Sequence, residues 1–288
     1  MRPAPFAYER VESVEEMLEA LARADGEGAA VLLAGGQSLI PRLNARLVRP
    51  RRVIDIDGIA ALDHLELDQE LRVGALCRHW RLEEATSLDG PWAALREAAA
   101  HVGLHPVRTR GTFGGSLAHA DPAAELPLAA VTYGAEIELR SRAGQRRVAA
   151  EEFFRGPHRT ALGPGEAIVG ARFPSPKPDG VSAFAEVSRR VVGWPLAAVC
   201  VVLHAAEGVI QGARVGLGAV GPAPRRAIEA ERLLEGSALE SSAIDAAAVA
   251  AARACAPAVA DGVDEDTRRD MVEALVRRTL AGLAGAVW

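Results

Sequence analysis

The hydrophobic pattern of the first 57 residues predicts a small α/β unit. Ser13 followed by Glu16 forms a capping box, and apolar residues then recur at helical spacing. Residues 31–34 form a short apolar run bounded by glycine, which is typical of a buried strand. A short helix, with Ser38 as its N-cap, and a strand at 53–56 complete the unit. A glycine turn therefore lies at a strand-to-helix junction, where free backbone N–H groups attract anions.

A proline-rich segment divides the rest of the pattern into two parts. Residues 174–180 carry three alternating prolines, which neither a helix nor a central strand accepts. Before this segment, 76–85 and 91–102 have helical spacing; after it, three strand-like segments precede three helical ones. We therefore predict α+β domains at 1–175 (subdomains about 1–57 and 58–175) and 181–288, the second an antiparallel sheet covered by helices.

Composition and charge exclude several classes of function. The 288 residues are 49% hydrophobic and 25% charged, with a net charge of −5, so we expect no nucleic-acid-binding surface. The apolar runs are too short for an integral membrane segment. Cys77, Cys200 and Cys255 lie far apart and form no C-x-x-C, so they predict neither an iron–sulfur cluster nor a zinc site. This sparse cysteine usage fits a reducing cytoplasm.

Two similar glycine turns are the strongest chemical signal in the chain. The first is Ala34-Gly35-Gly36-Gln37-Ser38, and the second is Gly111-Thr112-Phe113-Gly114-Gly115-Ser116. Paired glycines let the backbone approach a ligand closely and turn several N–H groups to one side, which forms a nest for an anion. Two such turns predict a ligand with two adjacent phosphates, held from both sides. We expect a side chain placed at Gly35 or Gly114 to intrude on that ligand.

A third glycine motif, at residues 216–221, matches G-x-G-x-x-G but predicts no nicotinamide site. A dinucleotide-binding motif needs a helix that begins within it, so that the helix N-terminus faces the pyrophosphate. Pro222 and Pro224 follow at once and delay the next helix. We interpret the motif as a glycine-containing strand.

Residues 34–41 and 108–127 resemble the two FAD motifs of the molybdenum hydroxylase flavoprotein subunit. This is the medium subunit of the aerobic carbon monoxide dehydrogenase type, related to the flavin domain of xanthine dehydrogenase. The resemblance covers nearly the whole chain. It implies a two-subdomain FAD-binding fold of the vanillyl-alcohol-oxidase (PCMH) type, followed by a C-terminal flavoprotein domain. It also implies FAD whose diphosphate lies between the two glycine turns.

The resemblance implies roles for residues of both motifs. Backbone groups on one side of the pyrophosphate would come from the first motif: Leu33, Ala34, Gly35, Gly36, Gln37 and Ser38. The other side would be held by Thr112, Gly114, Gly115 and Ser116. Asp121 or Glu125 would accept a hydrogen bond from the ribose or adenine end, although Glu125 could instead be a solvated helix residue.

At the flavin ring the chain departs from the family pattern. The family often carries lysine where this chain has Glu186, and aspartate where it has Gly193. Trp194 corresponds to an aromatic residue beside the ring in some relatives, or is a core tryptophan at the start of a strand. Ile168 and Val169 match apolar positions that pack against the flavin, and could equally be core strand residues.

The chain contains no nucleophile–base arrangement and no predicted metal site, so we predict no catalytic residue in it. The resemblance implies partners instead: a large subunit with the molybdenum cofactor and a small subunit with [2Fe–2S] clusters, which would pass electrons to FAD here. The final acceptor could be NAD, a quinone or O₂. Two alternatives stay open, a standalone FAD-dependent oxidoreductase and a flavin-free scaffold relative.

Overall fold

The N-terminal unit is a parallel three-stranded sheet with two helices. A computed structural model describes residues 2–24, 29–190, 193–256 and 262–285. In chain order the unit contains β1 (Ala7–Arg10), α1 (Val14–Ala22), β2 (Ala30–Leu33), α2 (Leu39–Asn44) and β3 (Arg52–Asp55). β3 lies between β1 and β2 and pairs with both in parallel. The predicted capping box is confirmed, because the Glu16 N–H donates to Ser13 Oγ at 3.1 Å.

The predicted cap at Ser38 is wrong. Ser38 precedes α2, but its backbone is helical (φ −95°, ψ −37°), and its side chain makes no capping hydrogen bond. An N-cap side chain reaches the free N–H groups of the first turn from an extended backbone. Those N–H groups therefore lack the side-chain acceptor that the sequence predicted.

The middle unit is built on a five-stranded antiparallel sheet in the order β4-β5-β10-β6-β7. Its elements are β4 (Leu65–Leu67), β5 (Glu70–Gly74), α3 (His79–Glu83), α4 (Ala93–His101), α5 (His105–Arg108), α6 (Phe113–His119), α7 (Glu125–Tyr133), β6 (Glu136–Ser141), β7 (Gly144–Ala149), α8 (Ala150–Phe153), β8 (Phe154–Gly156), β9 (Arg159–Thr160) and β10 (Ala167–Pro174). The helix predicted over 76–85 is much shorter. The Leu76 N–H bonds the Leu62 carbonyl at 2.8 Å, and a turn in which the Cys77 N–H donates to the Gly74 carbonyl leads to the extended Arg78 before α3 begins.

The C-terminal unit is the predicted antiparallel sheet covered by helices. It comprises β11 (Val181–Ser188), β12 (Pro195–Ala206), β13 (Val209–Gly218), β14 (Arg225–Arg226), α9 (Ile228–Leu234), α10 (Ser241–Arg253) and α11 (Glu265–Ala284). The strands pair in sequence order. No helix within the described ranges has both the length and the hydrophobicity needed to cross a membrane.

Strand β12 is buried on both of its faces. Ala197, Val199, Val201 and Leu203 point into a core shared with α9, α10 and α11. Ala198, Cys200 and Val202 point the other way, into the core that contains α4 and α7. This explains the long apolar run at 194–203, since a strand covered on both sides loses the alternation of polar residues. The sheet beyond residues 174–180 thus shares a core with the helices before them, and the division into domains at that segment stays a prediction.

The third glycine motif is part of this sheet, as predicted. Gly216 and Gly218 lie in β13 and face α7. A Cβ on Gly216 would lie 1.9 Å from Thr132 Oγ1, and a Cβ on Gly218 would lie 2.9 Å from Leu128 Cδ2. These glycines therefore let the sheet and the helix approach closely, and they line no nucleotide site.

We predict that Gly216→Ala destabilises the fold by about 1–3 kcal/mol, the usual cost of overpacking a core. Thr132 cannot move its hydroxyl out of the way without losing the hydrogen bond that the hydroxyl donates to the Leu128 carbonyl at 2.8 Å. Gly212→Ala is the matched control, since Gly212 lies in the same strand and its Cβ would meet nothing within 4 Å. Urea unfolding of both variants measures the difference; equal stabilities would contradict the packing argument.

Candidate functional site

The two glycine turns are in direct contact. Gly35 is buried, and a Cβ on it would lie 1.9 Å from the Arg110 carbonyl oxygen and 3.0 Å from Gly111 Cα. An ion-pair network holds this contact: Arg78 bonds Asp57 Oδ1 at 2.5 Å and also donates to the Arg110 carbonyl. Arg110 itself pairs with Asp57 at 3.3 Å. The N-terminal and middle units are thereby fastened together at the site.

The first turn presents a row of free backbone donors. The N–H groups of Gly35, Gly36, Gln37 and Ser38 make no hydrogen bond to any acceptor in the described ranges. Gly36 has φ +74°, the left-handed conformation that glycine adopts without strain. Successive N–H groups around such a residue converge on one side and form an anion nest. The geometry of this turn is that of an anion nest, and anion binding by it stays a prediction.

The second turn opens helix α6. Thr112 is its N-cap, and its hydroxyl accepts from the Gly115 N–H at 3.2 Å. Gly115 is exposed, whereas Gly114 is buried against Ala75. A Cβ on Gly114 would lie 2.7–2.8 Å from three atoms of Ala75. Side chains at Gly35 and Gly114 would thus collide with neighbouring protein backbone. These side chains would point into the protein, so the expectation that they would intrude on the ligand is wrong.

A cavity of about 430 Å³ lies between the two turns. Most of the predicted cofactor-binding residues line it: Ala34, Gly35, Gly36, Gln37, Ser38, Thr112, Gly115, Ser116, Asp121, Glu125 and Trp194. The remaining five, Leu33, Gly114, Ile168, Val169 and Glu186, do not. Ile168 lies in β10 and is 6% exposed, and Val169 packs against the N-terminal core. Both are therefore better interpreted as core strand residues.

Sequence reasoning missed His79 in the cavity wall. Its ring is 5% exposed, and neither ring nitrogen makes a hydrogen bond within the described ranges. Burial lowers the pKa of His79 to about 4, an effect that the nearby Thr112 backbone partly offsets. His79 belongs to no motif. It reaches the cavity because its backbone N–H donates to the Gly111 carbonyl at 3.2 Å and its ring lies against Gly111.

The carboxyl group of Glu125 is buried in the cavity wall, and the half-buried Glu186 lies near it but outside the wall. Glu125, the first residue of α7, is 8% exposed, so its interpretation as a solvated helix residue is wrong. Burial raises the pKa of Glu125 to about 7, and the charge of nearby Glu186 adds to the rise. Burial also raises the pKa of Glu186 to about 7, and its Oε2 is buried without a hydrogen bond in the described ranges.

Trp194 forms the rim of the cavity together with Gly193 and Pro195. Its side chain is 71% exposed, so it is not a core tryptophan. Asp121 is buried deeper in the wall, where its Oδ1 accepts from the Ala123 N–H at 2.9 Å. The cavity therefore has backbone donors along one part and carboxyl and aromatic groups along another.

Comparison with known proteins covers nearly the whole chain. Residues 4–176 match the family described as the FAD binding domain in molybdopterin dehydrogenase, and residues 182–283 match the CO dehydrogenase flavoprotein C-terminal domain. The chain is 36% identical over 283 residues to the 6-hydroxypseudooxynicotine dehydrogenase complex subunit alpha of Paenarthrobacter nicotinovorans, which covers 98% of this chain and 95% of the relative.

Two further matches are similar in extent. The caffeine dehydrogenase subunit beta of Pseudomonas sp. (strain CBB1) is 35% identical over 238 residues, which are 82% of this chain and 80% of the relative. A chain of the carbon monoxide dehydrogenase from Hydrogenophaga pseudoflava superposes with a TM-score of 0.94 at 32% identity, covering 99% of both chains.

The buried carboxyl of Glu125 predicts a pH-dependent stability. Its pKa is raised from 4.5 to about 7, so the folded chain keeps a proton that the unfolded chain releases in this window. The contribution of Glu125 to the free energy of unfolding should therefore be highest below about pH 4.5 and fall by about 3 kcal/mol as pH rises to about 7.

Glu125→Gln should remove this part of the pH dependence, because the amide stays uncharged. The exposed Glu84→Gln serves as the control. Urea unfolding at about pH 5 and about pH 8 measures the effect. If the free energy of unfolding of Glu125→Gln changed with pH as much as that of the wild type, the Glu125 carboxyl would be hydrated and the prediction wrong.

Proposed function

The chain belongs to the family of FAD-binding subunits of molybdenum-hydroxylase-type dehydrogenases, and on that premise we propose how it works within such a complex. It holds FAD between its two glycine turns, accepts electrons from a [2Fe–2S] subunit and passes them to an external acceptor. The family membership and the fold inferred from the two glycine motifs are confirmed. The electron path and the residue roles are the proposal.

One observation carries the proposal: two glycine turns meet at a single cavity, and one of them has four consecutive N–H groups without a protein acceptor. Gly36, Gln37 and Ser38 would donate these N–H groups to one side of the diphosphate. On the other side, Gly115 and Ser116 line the cavity, and the Ser116 hydroxyl would bond the diphosphate, because the N–H groups of residues 113–116 already have protein acceptors. Gly35 and Gly114 would act indirectly, by letting the walls of the cavity close.

The buried imidazole of His79 also fits a cofactor. A buried polar group without a hydrogen bond is rare in native proteins, because it loses its solvation and gains no partner. His79 is neutral at pH 7, since its pKa is about 4, so it can donate from one nitrogen and accept at the other. A polar group of the dinucleotide in the cavity would satisfy it.

We assign the flavin ring to the part of the cavity that is lined by Glu125 and Trp194. The resemblance implied the ribose or adenine end for Glu125 and the ring end for Glu186. The charge of Glu186 acts on the pKa of Glu125, so the two carboxyl groups lie near each other, and we place Glu125 near the ring as well. Trp194 at the rim could cover the ring. A carboxyl group with a pKa near 7 can hold or release a proton close to neutral pH, so Glu125 would keep a proton in the cavity wall below about pH 7 and release it above that pH.

Bound FAD would supply the redox chemistry, and this chain would supply its position and electrostatic environment. The three cysteines are buried and unpaired at separate places, so they fit no iron–sulfur cluster within the described ranges. The molybdenum cofactor and the [2Fe–2S] clusters would therefore reside on a large and a small partner subunit. The relatives act on compounds as unlike as 6-hydroxypseudooxynicotine and caffeine, which supports placing substrate selection outside this chain.

Gly36→Ala should weaken FAD binding at least tenfold, or by about 1.4 kcal/mol. Alanine is strained at φ +74°, and its Cβ would lie 3.0 Å from Ile40 Cγ1, so the turn that aims the N–H groups must shift. Gly165→Ala is the matched control, because Gly165 has φ +71°, open surroundings and no place in the cavity wall. Both variants should lose similar stability in urea, and only Gly36→Ala should lose affinity in a fluorescence titration with FAD.

The electron path is tested with the purified chain loaded with FAD. Anaerobic mixing with the reduced [2Fe–2S] subunit should bleach the visible flavin absorbance as the cluster is reoxidised. A chain that takes up no FAD would refute the cofactor assignment. Bleaching by an organic substrate with the chain alone would refute the role as an electron-transfer subunit and favour a standalone oxidoreductase.

A further inference from the structure

Three potential metal ligands converge at the C-terminal end of α6. His119, Asp121 and His158 each offer one ligand atom, and these atoms all lie within 4.8 Å of one another. His119 Nε2 is 4.0 Å from Asp121 Oδ2, and the centroids of the two imidazole rings are 4.6 Å apart. No other group of three or more histidine, cysteine or acidic side chains in the described ranges has this geometry.

The backbone brings the two histidines together from distant parts of the chain. His119 ends α6, and Ala120 then turns in the left-handed conformation with φ +47°. His158 lies in the turn between β8 and β9 with φ +54°, and its N–H donates to the Ala120 carbonyl at 2.9 Å. Left-handed backbone is uncommon for residues other than glycine. Two such turns joined by a hydrogen bond define the direction of the His158 side chain.

The hydrogen bonds also leave lone pairs free for a cation. His158 Nδ1 is 2.9 Å from the His119 carbonyl, which can only accept, so Nδ1 carries the proton and Nε2 keeps its lone pair. Histidine ligands of metals typically donate their second N–H to a carbonyl in this way. Burial lowers the pKa of His119, which keeps its imidazole neutral. Asp121 Oδ1 accepts from the Ala123 N–H, and Oδ2 remains available.

We propose that His119, Asp121 and His158 bind one divalent transition-metal ion of the zinc class. Two neutral imidazoles and a carboxylate suit such an ion, whereas Mg²⁺ prefers oxygen ligands alone. Metal–ligand bonds of about 2.0–2.2 Å require each ligand atom to move inward by roughly 1 Å. The carbonyl groups at the C-terminal end of α6 favour a bound cation. The positive charge of Arg42, which acts on His119, disfavours one.

The site goes beyond the proposed function, which assigns no metal ion to this chain. His119 and Asp121 line the cavity wall, and three protein ligands leave a fourth position open to water or another donor. The ion would fasten the β8–β9 turn to the end of the second glycine motif.

The test is a titration of the metal-stripped chain with Zn²⁺ by calorimetry and with Co²⁺ by visible absorption. We expect one Zn²⁺ per chain with a Kd of about 10 µM or tighter. Co²⁺ should give absorption bands that Zn²⁺ abolishes, and Mg²⁺ should not compete. His158→Asn removes the imidazole while tolerating the left-handed backbone, and it should weaken Zn²⁺ binding at least tenfold.

His105→Ala is the control, since His105 is exposed and outside the cluster. It should bind Zn²⁺ like the wild type. Equal affinity in wild type and His158→Asn, or binding no tighter than the millimolar range in the wild type, would overturn the proposal. FAD uptake is measured on the same samples, so that failure of the metal site is distinguished from failure of the cofactor site.

Discussion

The close approach of Gly35 to the Arg110 carbonyl is the constraint on which the site depends. No other residue fits there, because a Cβ would lie 1.9 Å from the carbonyl oxygen. The contact joins a parallel α/β unit to an antiparallel one, and Asp57 strengthens it by pairing with Arg78 and Arg110. Since the two turns come from different units, the cavity exists only when both units are packed together.

The glycines of the two motifs divide into two groups with different physical roles. Gly35, Gly111 and Gly114 face other parts of the protein, where a side chain would collide with Arg110, His79 or Ala75. Gly36 and Gly115 line the cavity, and the Gly36 N–H has no acceptor in the described ranges. A long glycine motif can therefore reflect packing as much as ligand contact.

The C-terminal unit contributes to the site through β12. This strand begins beside the cavity rim and is then buried on both faces, which couples the rim to two hydrophobic cores. The buried Arg268 of α11 donates to the carbonyls of Leu196 and Ala219, so it joins the start of β12 to the end of β13. Trp194 directly precedes β12, and because β12 is buried on both faces, core packing sets the position of Trp194 even though its side chain is exposed.

The sequence by itself determined the order of the main elements, the two glycine turns and the family. Capping, periodicity and backbone freedom are local properties, and they identified α1, the strand containing Gly216 and the first turn correctly. Local pattern could not locate His79 or His158, because each reaches its neighbours through contacts between residues far apart in the chain.

Only the tertiary structure decided which side chains are buried, and with that which are chemically unusual. Glu125 has the sequence context of an ordinary polar position in the first turn of a helix, yet packing leaves it 8% exposed and raises its pKa to about 7. The same packing leaves Trp194 outside and Ile168 inside. Burial depends on every element that surrounds a residue, whereas the sequence records only its neighbours along the chain.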